Sequence, residues 1–162
     1  MILEVRKLTA DAKLPTKAYD GDAGWDLYSC ENITIKPICG MTDVPVADGS
    51  SAVRSVPSWD YAITEVDVGI AFAIPAGYYG QVMCRSGYGK KGMRVHHGVV
   101  DAGYRGPVTV FVQNQGEAPI TINKGDKIAQ LLILPVPDVC VQEVTELSSS
   151  VRGEKGFGSS GG

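Results

Sequence analysis

The stretch Gly98-Val99-Val100-Asp101-Ala102-Gly103-Tyr104-Arg105-Gly106 decides how this chain is read. Met93-Arg94-Val95 before it and Val108-Thr109-Val110-Phe111-Val112 after it have the look of β-strands, the second being rich in β-branched and aromatic residues. A carboxylate and an aromatic ring therefore stand on a tight connection between two strands. Asp and Gly make such turns on their own account. Only the rest of the chain can show that they do more.

Working outward, the same signals recur. Ile2 to Leu8 alternates apolar and polar residues, as a half-buried strand does. Asp22 to Cys30, Ile33-Thr34-Ile35, Val66 to Ile74, Tyr78 to Cys84, Ile120-Thr121-Ile122, Lys127 to Val136 and Cys140 to Val144 all have strand character. Between them lie Pro75-Ala76-Gly77 and Asn123-Lys124-Gly125-Asp126, which make turns. No segment holds a helical period, and Gly87 to Gly92 has room for about one helical turn. The fold class expected is all-β, a barrel or double-sheet sandwich of short strands.

Residues 38–65 break the pattern. They hold Pro45, Gly49, Pro57, four serines and the aromatics Trp59 and Tyr61. This is the composition of a long loop or arm with a strand at each end, and so long a connection is functional or mobile more often than not. Trp59, Tyr61 and Val56 could form a patch for a protein partner. From Leu147 onward the chain has almost nothing to bury, which marks a flexible terminus. Yet Arg152, Lys155, Phe157, Ser159 and Ser160 crowd into it, and such a segment could close over a ligand.

The chain has 162 residues, 44% of them hydrophobic, and a net charge of −3 from 15 basic and 18 acidic residues. One domain with a real core fits. A nucleic-acid duplex or an anionic membrane does not fit as partner, although a small polyanion needs only a local cluster of cations. Cys30, Cys39, Cys84 and Cys140 are scattered with no CxxC pair, so they are expected as reduced, small hydrophobes of a cytosolic protein. The start, Met1 to Lys7, has no apolar stretch of signal-peptide length. That fits a cytoplasmic protein, and equally a phage- or virus-encoded one acting in its host's cytoplasm.

Five stretches together resemble the homotrimeric, all-β dUTPase family. They are Ala23-Gly24-Trp25-Asp26-Leu27-Tyr28-Ser29, Arg85-Ser86-Gly87-Tyr88-Gly89, Gly98 to Gly106, Lys124-Gly125-Asp126-Lys127-Ile128-Ala129-Gln130-Leu131, and Arg152 to Gly161. The resemblance implies a distorted jelly-roll or β-clip barrel over residues 1–147, with an unusual insertion at 38–65 and a short helix after Ser86. Residues 148–162 would be a lid completing a neighbouring subunit's site. It implies dUTP pyrophosphatase activity, splitting dUTP into dUMP and pyrophosphate by water attack on the α-phosphate. Such an enzyme keeps uracil out of DNA and supplies dUMP for dTTP synthesis.

The same resemblance assigns roles. Asp101 orients and deprotonates the attacking water. Tyr104 stacks on the deoxyribose and leaves no space for a 2′-hydroxyl. Val95 to Val100 forms the uracil slot through backbone groups of Gly98, Val99 and Val100. His96 and His97 stand at its rim, where relatives often carry Gly, Ala or Asn. Arg85, Ser86, Gly87 and Gln130 meet the phosphates, and Asp26 holds Mg²⁺ through water. From the tail, Phe157 covers the base while Arg152, Gly158, Ser159 and Ser160 hold the phosphates. Two other readings remain. A dCTP deaminase of the same superfamily needs a Glu on the strand after the turn, and Pro107 to Gln113 has no acid. A trimeric regulatory or binding protein would use the 38–65 insertion.

Overall fold

The computed structural model describes residues 1–45, 53–59, 63–96 and 98–154, with backbone alone over 41–45 and 53–59. β1 (Glu4–Lys7), β2 (Trp25–Tyr28) and β3 (Ile33–Ile35) come first, then β4 (Cys39–Pro45) and β5 (Val53–Trp59). β6 (Thr64–Asp67), β7 (Ile70–Ala73) and β8 (Tyr78–Cys84) lead into the one helical turn, α1 (Ser86–Gly89). β9 (Met93–Val95), β10 (Val99–Val100), β11 (Thr109–Asn114), β12 (Ile120–Ile122) and β13 (Lys127–Pro135) complete the order.

Every strand pair is antiparallel. A four-stranded sheet runs β10-β8-β13-β2 and a three-stranded one β6-β11-β9, with β1-β7 and β3-β12 as smaller pairs. Alternation sets their faces. On β11, Val110 and Val112 are fully buried while Phe111 between them is 41% exposed. Leu27, Val66, Val68, Ile122, Ile128 and Leu131 fill the same core. This is the all-β, jelly-roll class expected, although among the described residues the sheets do not close into a continuous barrel. No helix there is long and apolar enough to cross a membrane.

The structure departs from the sequence reading in four places. Val66 to Ile74 is not one strand. It breaks at Gly69, whose φ of +64° suits glycine and whose added Cβ would lie 2.5 Å from Cys30 Sγ. The break carries the chain from the β6 sheet to the β7 pair. Second, the connection between β9 and β11 is not a simple turn. The two do pair, Val95 opposite Val112, but β10 between them crosses to the other sheet and pairs with Gln81 and Gly80 of β8. Glycine at 80 permits this, since a Cβ there would lie 2.8 Å from Ile74 Cδ1 and 3.3 Å from Val100 Cβ.

Third, Cys140 to Val144 forms no strand, and Val141 is 101% exposed; its alternation finds no neighbouring strand among the described residues. Fourth, all four cysteines are free, as expected, but Cys39 and Cys140 are exposed rather than packed. The 38–65 segment contains the expected strand at each end, and these two pair with each other as a ribbon, from Cys39 opposite Trp59 to Pro45 opposite Val53. Tyr61 and the side chains of Val56 and Trp59 lie outside the described residues.

Asn114 roots this ribbon. Its side chain is fully buried at the end of β11. Nδ2 donates to Ile35 O at 3.0 Å and Ala118 O at 2.8 Å, and Oδ1 accepts from Gly116 N at 2.9 Å. Its backbone O accepts from Ile38 N at 2.8 Å, just before β4. Asn114→Leu would leave the buried Ile35 O and the half-buried Gly116 N without this partner, at about 1–3 kcal/mol each, and would lose the bond to the exposed Ala118. A loss of about 3 kcal/mol or more is expected, lowering Tm by roughly 10 °C. Thermal unfolding by circular dichroism checks this; a shift of a degree or two would show that water replaces the amide.

Candidate active site

Two cavities hold the residues singled out in the sequence. The first, about 240 Å³, is walled by Val82, Val100, Val108 and Phe111, with His96, Gly98, Asp101 and Tyr104 around it. Its shape follows from the sheet switch. β10 lies on β8 and β11 lies on β9, so the segment between them opens a slot with apolar walls and one carboxylate.

Asp101 begins a turn, its backbone O accepting from Tyr104 N at 3.0 Å, and the residue is exposed. Tyr104 Oη donates to Pro107 O at 3.0 Å. An added Cβ on Gly106 would sit 2.4 Å from that Oη, so the ring lies against a residue that must have no side chain. The ring is thus fixed while 45% of the residue stays exposed. His96 N donates to Phe111 O at 2.8 Å, and its imidazole Nε2 is buried without a hydrogen-bond partner among the described residues. His97 lies outside the described residues.

The second cavity, about 440 Å³, is polar and is lined by Asp22, Gly24, Asp26, Arg85, Ser86 and Gln130, among others. Asp26 stands at its centre, 7% exposed. Its Oδ1 lies 2.8 Å from Arg85 Nε and its Oδ2 lies 2.8 Å from Lys127 Nζ. Arg85 Nη1 also donates to Lys127 O at 3.2 Å. The guanidinium is therefore held on two sides, and its remaining N–H groups are pre-aimed. The hydrogen bond to Asp26 holds the Lys127 ammonium above the usual lysine range. Burial pushes the Cys84 thiol beside them up, against the proton-releasing effect of nearby backbone groups, which makes it a poor nucleophile.

Gln130 is no edge residue. β13 lies between β8 and β2, and Gln130 faces both Met83 and Asp26. Its Nε2 donates to Cys84 O at 3.2 Å. A Cβ on Gly24 would lie 2.4 Å from its Oε1, so glycine at 24 lets the amide lie flat across β2. After it, Arg85 is extended (ψ 141°) and α1 starts at once. The first N–H groups of such a turn have no intrahelical acceptor. Ser86 and Gly87 are exposed there, and a Cβ on Gly87 or on Gly98 would meet nothing within 4 Å. Packing within the chain thus does not explain either glycine.

A metal was expected at Asp26. Each of its oxygens already accepts a bond from a cation, which leaves one lone pair apiece. The carboxylate can still accept from water on an ion. Among the described residues no group of three His, Cys, Asp or Glu could hold one.

The single chain does not unite the two cavities. They share no lining residue. Asp101 follows β10 at one edge of the four-stranded sheet, and Asp26 lies on β2 at the other. Three strand spacings, roughly 14 Å, separate those edges. Arg152 sits in a turn closed by Gly153 N to Ser150 O at 3.1 Å. Phe157, Gly158, Ser159 and Ser160 lie outside the described residues.

Sequence reasoning missed Lys127 and Phe111. Lys127 was within sight in Lys124 to Leu131, but its reach to Asp26 depends on strand register. Phe111 had a visible signal, an aromatic out of phase with the buried valines on either side.

Comparison with known proteins places these features. The dUTPase family model matches residues 50–161. A deoxyuridine 5′-triphosphate nucleotidohydrolase of Gloeobacter violaceus is 38% identical over 160 residues, covering 97% of this chain and 95% of its own. A structure of a mutant Staphylococcus bacteriophage 80alpha dUTPase with dUpNHpp is similar with a TM-score of 0.80 and 28% identity, covering 99% of this chain and 98% of the other. A mutant dUTPase from phage phi11 of S. aureus, whose structure shows the coordination of a structural Mg(II) ion, is 25% identical with a TM-score of 0.72, over 90% of this chain and 98% of that one.

Proposed function

The chain belongs to the dUTPase family, and from its two cavities we infer that it hydrolyses dUTP to dUMP and pyrophosphate. The observation that carries this reading is the contrast between the cavities: one apolar with a single carboxylate at its mouth, the other polar with a pre-aimed guanidinium.

The uracil enters the apolar slot. Backbone groups of Gly98, Val99 and Val100 pair with its polar edge, and Val82 and Phe111 flank it. A cytosine there leaves buried groups unpaired, at about 1–3 kcal/mol each. The Tyr104 ring, pinned by Pro107 O and Gly106, stands where a 2′-hydroxyl would come. Asp101 orients water toward the α-phosphorus and takes its proton. Arg85, the Ser86 hydroxyl, the Ser86 and Gly87 N–H groups and Gln130 hold the phosphates. The open space at Gly87 and Gly98 supports close approach of a ligand to bare backbone. Mg²⁺, when bound to the triphosphate, neutralises its charge, and Asp26 accepts hydrogen bonds from waters on that ion. The tail, with Arg152, Phe157, Gly158, Ser159 and Ser160, closes the site.

A trimer with shared sites is the assembly this reading needs. Asp101 follows Val100, which pairs with Gly80 near the start of β8, whereas Arg85 follows the far end of β8 and turns toward Asp26, so a complete site takes Asp101 from one copy and Arg85 from another. Residues 136–151 support the same conclusion. Val139, Val141, Leu147 and Val151 are 76%, 101%, 89% and 107% exposed, an apolar series with no cover among the described residues. Residues 1–147 thus form the β domain and 148–162 a lid for a neighbour.

Pyrophosphate release from dUTP, UTP, dCTP and dTTP, with and without Mg²⁺, tests the activity. The kcat/KM for dUTP is expected to exceed that for UTP and dCTP by about 10³-fold or more, the range open to a site that pairs its substrate's polar groups. No preference for dUTP would overturn the reading, and ammonia release from dCTP would point to the deaminase.

A further inference from the structure

We propose that Lys127 is a positioning residue that sets how tightly the site takes a divalent cation, because its Nζ competes for the Asp26 carboxylate. The proposal rests on the dUTP reading above and concerns a residue outside the lining of either cavity.

The geometry is specific. Lys127 opposes Tyr28 on β2, and the register then slips between Lys127 and Ala129. This irregularity brings the Lys127 Nζ to 2.8 Å from Asp26 Oδ2, while its backbone O holds Arg85 Nη1 at 3.2 Å. The ammonium also lies 6.0 Å from the centre of the Tyr28 ring. One carboxylate thus faces two full positive charges. Arg85 is tied twice, to Asp26 and to Lys127 O, and is built in. Lys127 reaches Asp26 through one contact at the end of a flexible stem. It is the partner that can leave.

An incoming cation held through water at Asp26 meets this surplus charge. Removing the Lys127 charge leaves Asp26 with Arg85 alone and raises the pull on the ion. Over a few ångströms near a solvated surface, one unit charge is worth about tenfold in an equilibrium constant, and salt reduces it.

The test is a calorimetric titration of Mg²⁺ into metal-free protein saturated with dUpNHpp. Lys127→Met is expected to lower the apparent Mg²⁺ dissociation constant about tenfold. Lys127→Arg, which keeps the charge, should match wild type. In an Asp26→Asn background the Lys127→Met effect should vanish. Lys127→Gln serves as the second uncharged variant should the methionine protein not fold, with the same tightening expected. Unchanged or weaker Mg²⁺ binding in the uncharged variants overturns the proposal, as does tightening by Lys127→Arg. Failure of wild-type protein to bind dUpNHpp at all would instead overturn the dUTP reading beneath it.

Discussion

Asp101→Asn is expected to lower kcat for dUTP about a thousandfold while leaving dUpNHpp binding within a few-fold of wild type. The carboxylate lies at the mouth of the apolar slot, on the turn that runs from Asp101 O to Tyr104 N. That turn uses the backbone of residue 101, so the amide keeps the same fold. What it loses is a base. General-base catalysis contributes about 10²–10⁴ in rate, and an amide can still orient water without taking its proton. The substitution also removes a negative charge near a polyanion, so binding has no electrostatic reason to weaken. Single-turnover pyrophosphate release and dUpNHpp titration measure the two separately. A loss under tenfold would assign the proton to another group.

Truncation before Arg152 is expected to lower kcat/KM by about a hundredfold or more and to leave the oligomer intact. The core of the fold ends with β13 at Pro135, and among the described residues none from 152 to 154 belongs to the hydrophobic cluster. The turn at Ser150 to Gly153, with Gly153 at φ +54°, marks the start of a separate segment. Losing that segment removes Arg152 and, in the proposed site, the cover that would exclude water from the phosphates. Sedimentation of the truncated protein should match the full chain. A truncated enzyme with unchanged kcat/KM would refute the lid.

Most strands were legible because alternation is a local property. β11 announces its buried face through Val110 and Val112 around Phe111, and β13 is legible as a near-continuous apolar run. β10 was not, since two residues carry no period, and it pairs with β8 in a different sheet from β9 and β11, which flank it in sequence. Gly69 was visible as a glycine but not as a corner, because its φ follows from packing against Cys30. Cys140 to Val144 shows the opposite failure: a strand-like pattern does not supply a partner. At the site, Asp101, Arg85 and Asp26 stood out by their company in sequence. The clamp of Arg85 between Asp26 and Lys127 O could not be read, because it is made by three segments whose register only the folded sheet fixes.

The placement of Asp101 and Asp26 on opposite edges of one sheet also bears on inheritance. In the proposed trimer each copy would lend its carboxylate turn to one neighbour's chemistry and its guanidinium to another's. A defective copy therefore spoils work done beyond its own boundaries, and mixed assemblies suffer in proportion to more than the defective fraction. Conversely, two lesions at opposite edges can fall in different sites and leave a third site whole. Selection on such a chain acts on the company it assembles into, not on the single copy.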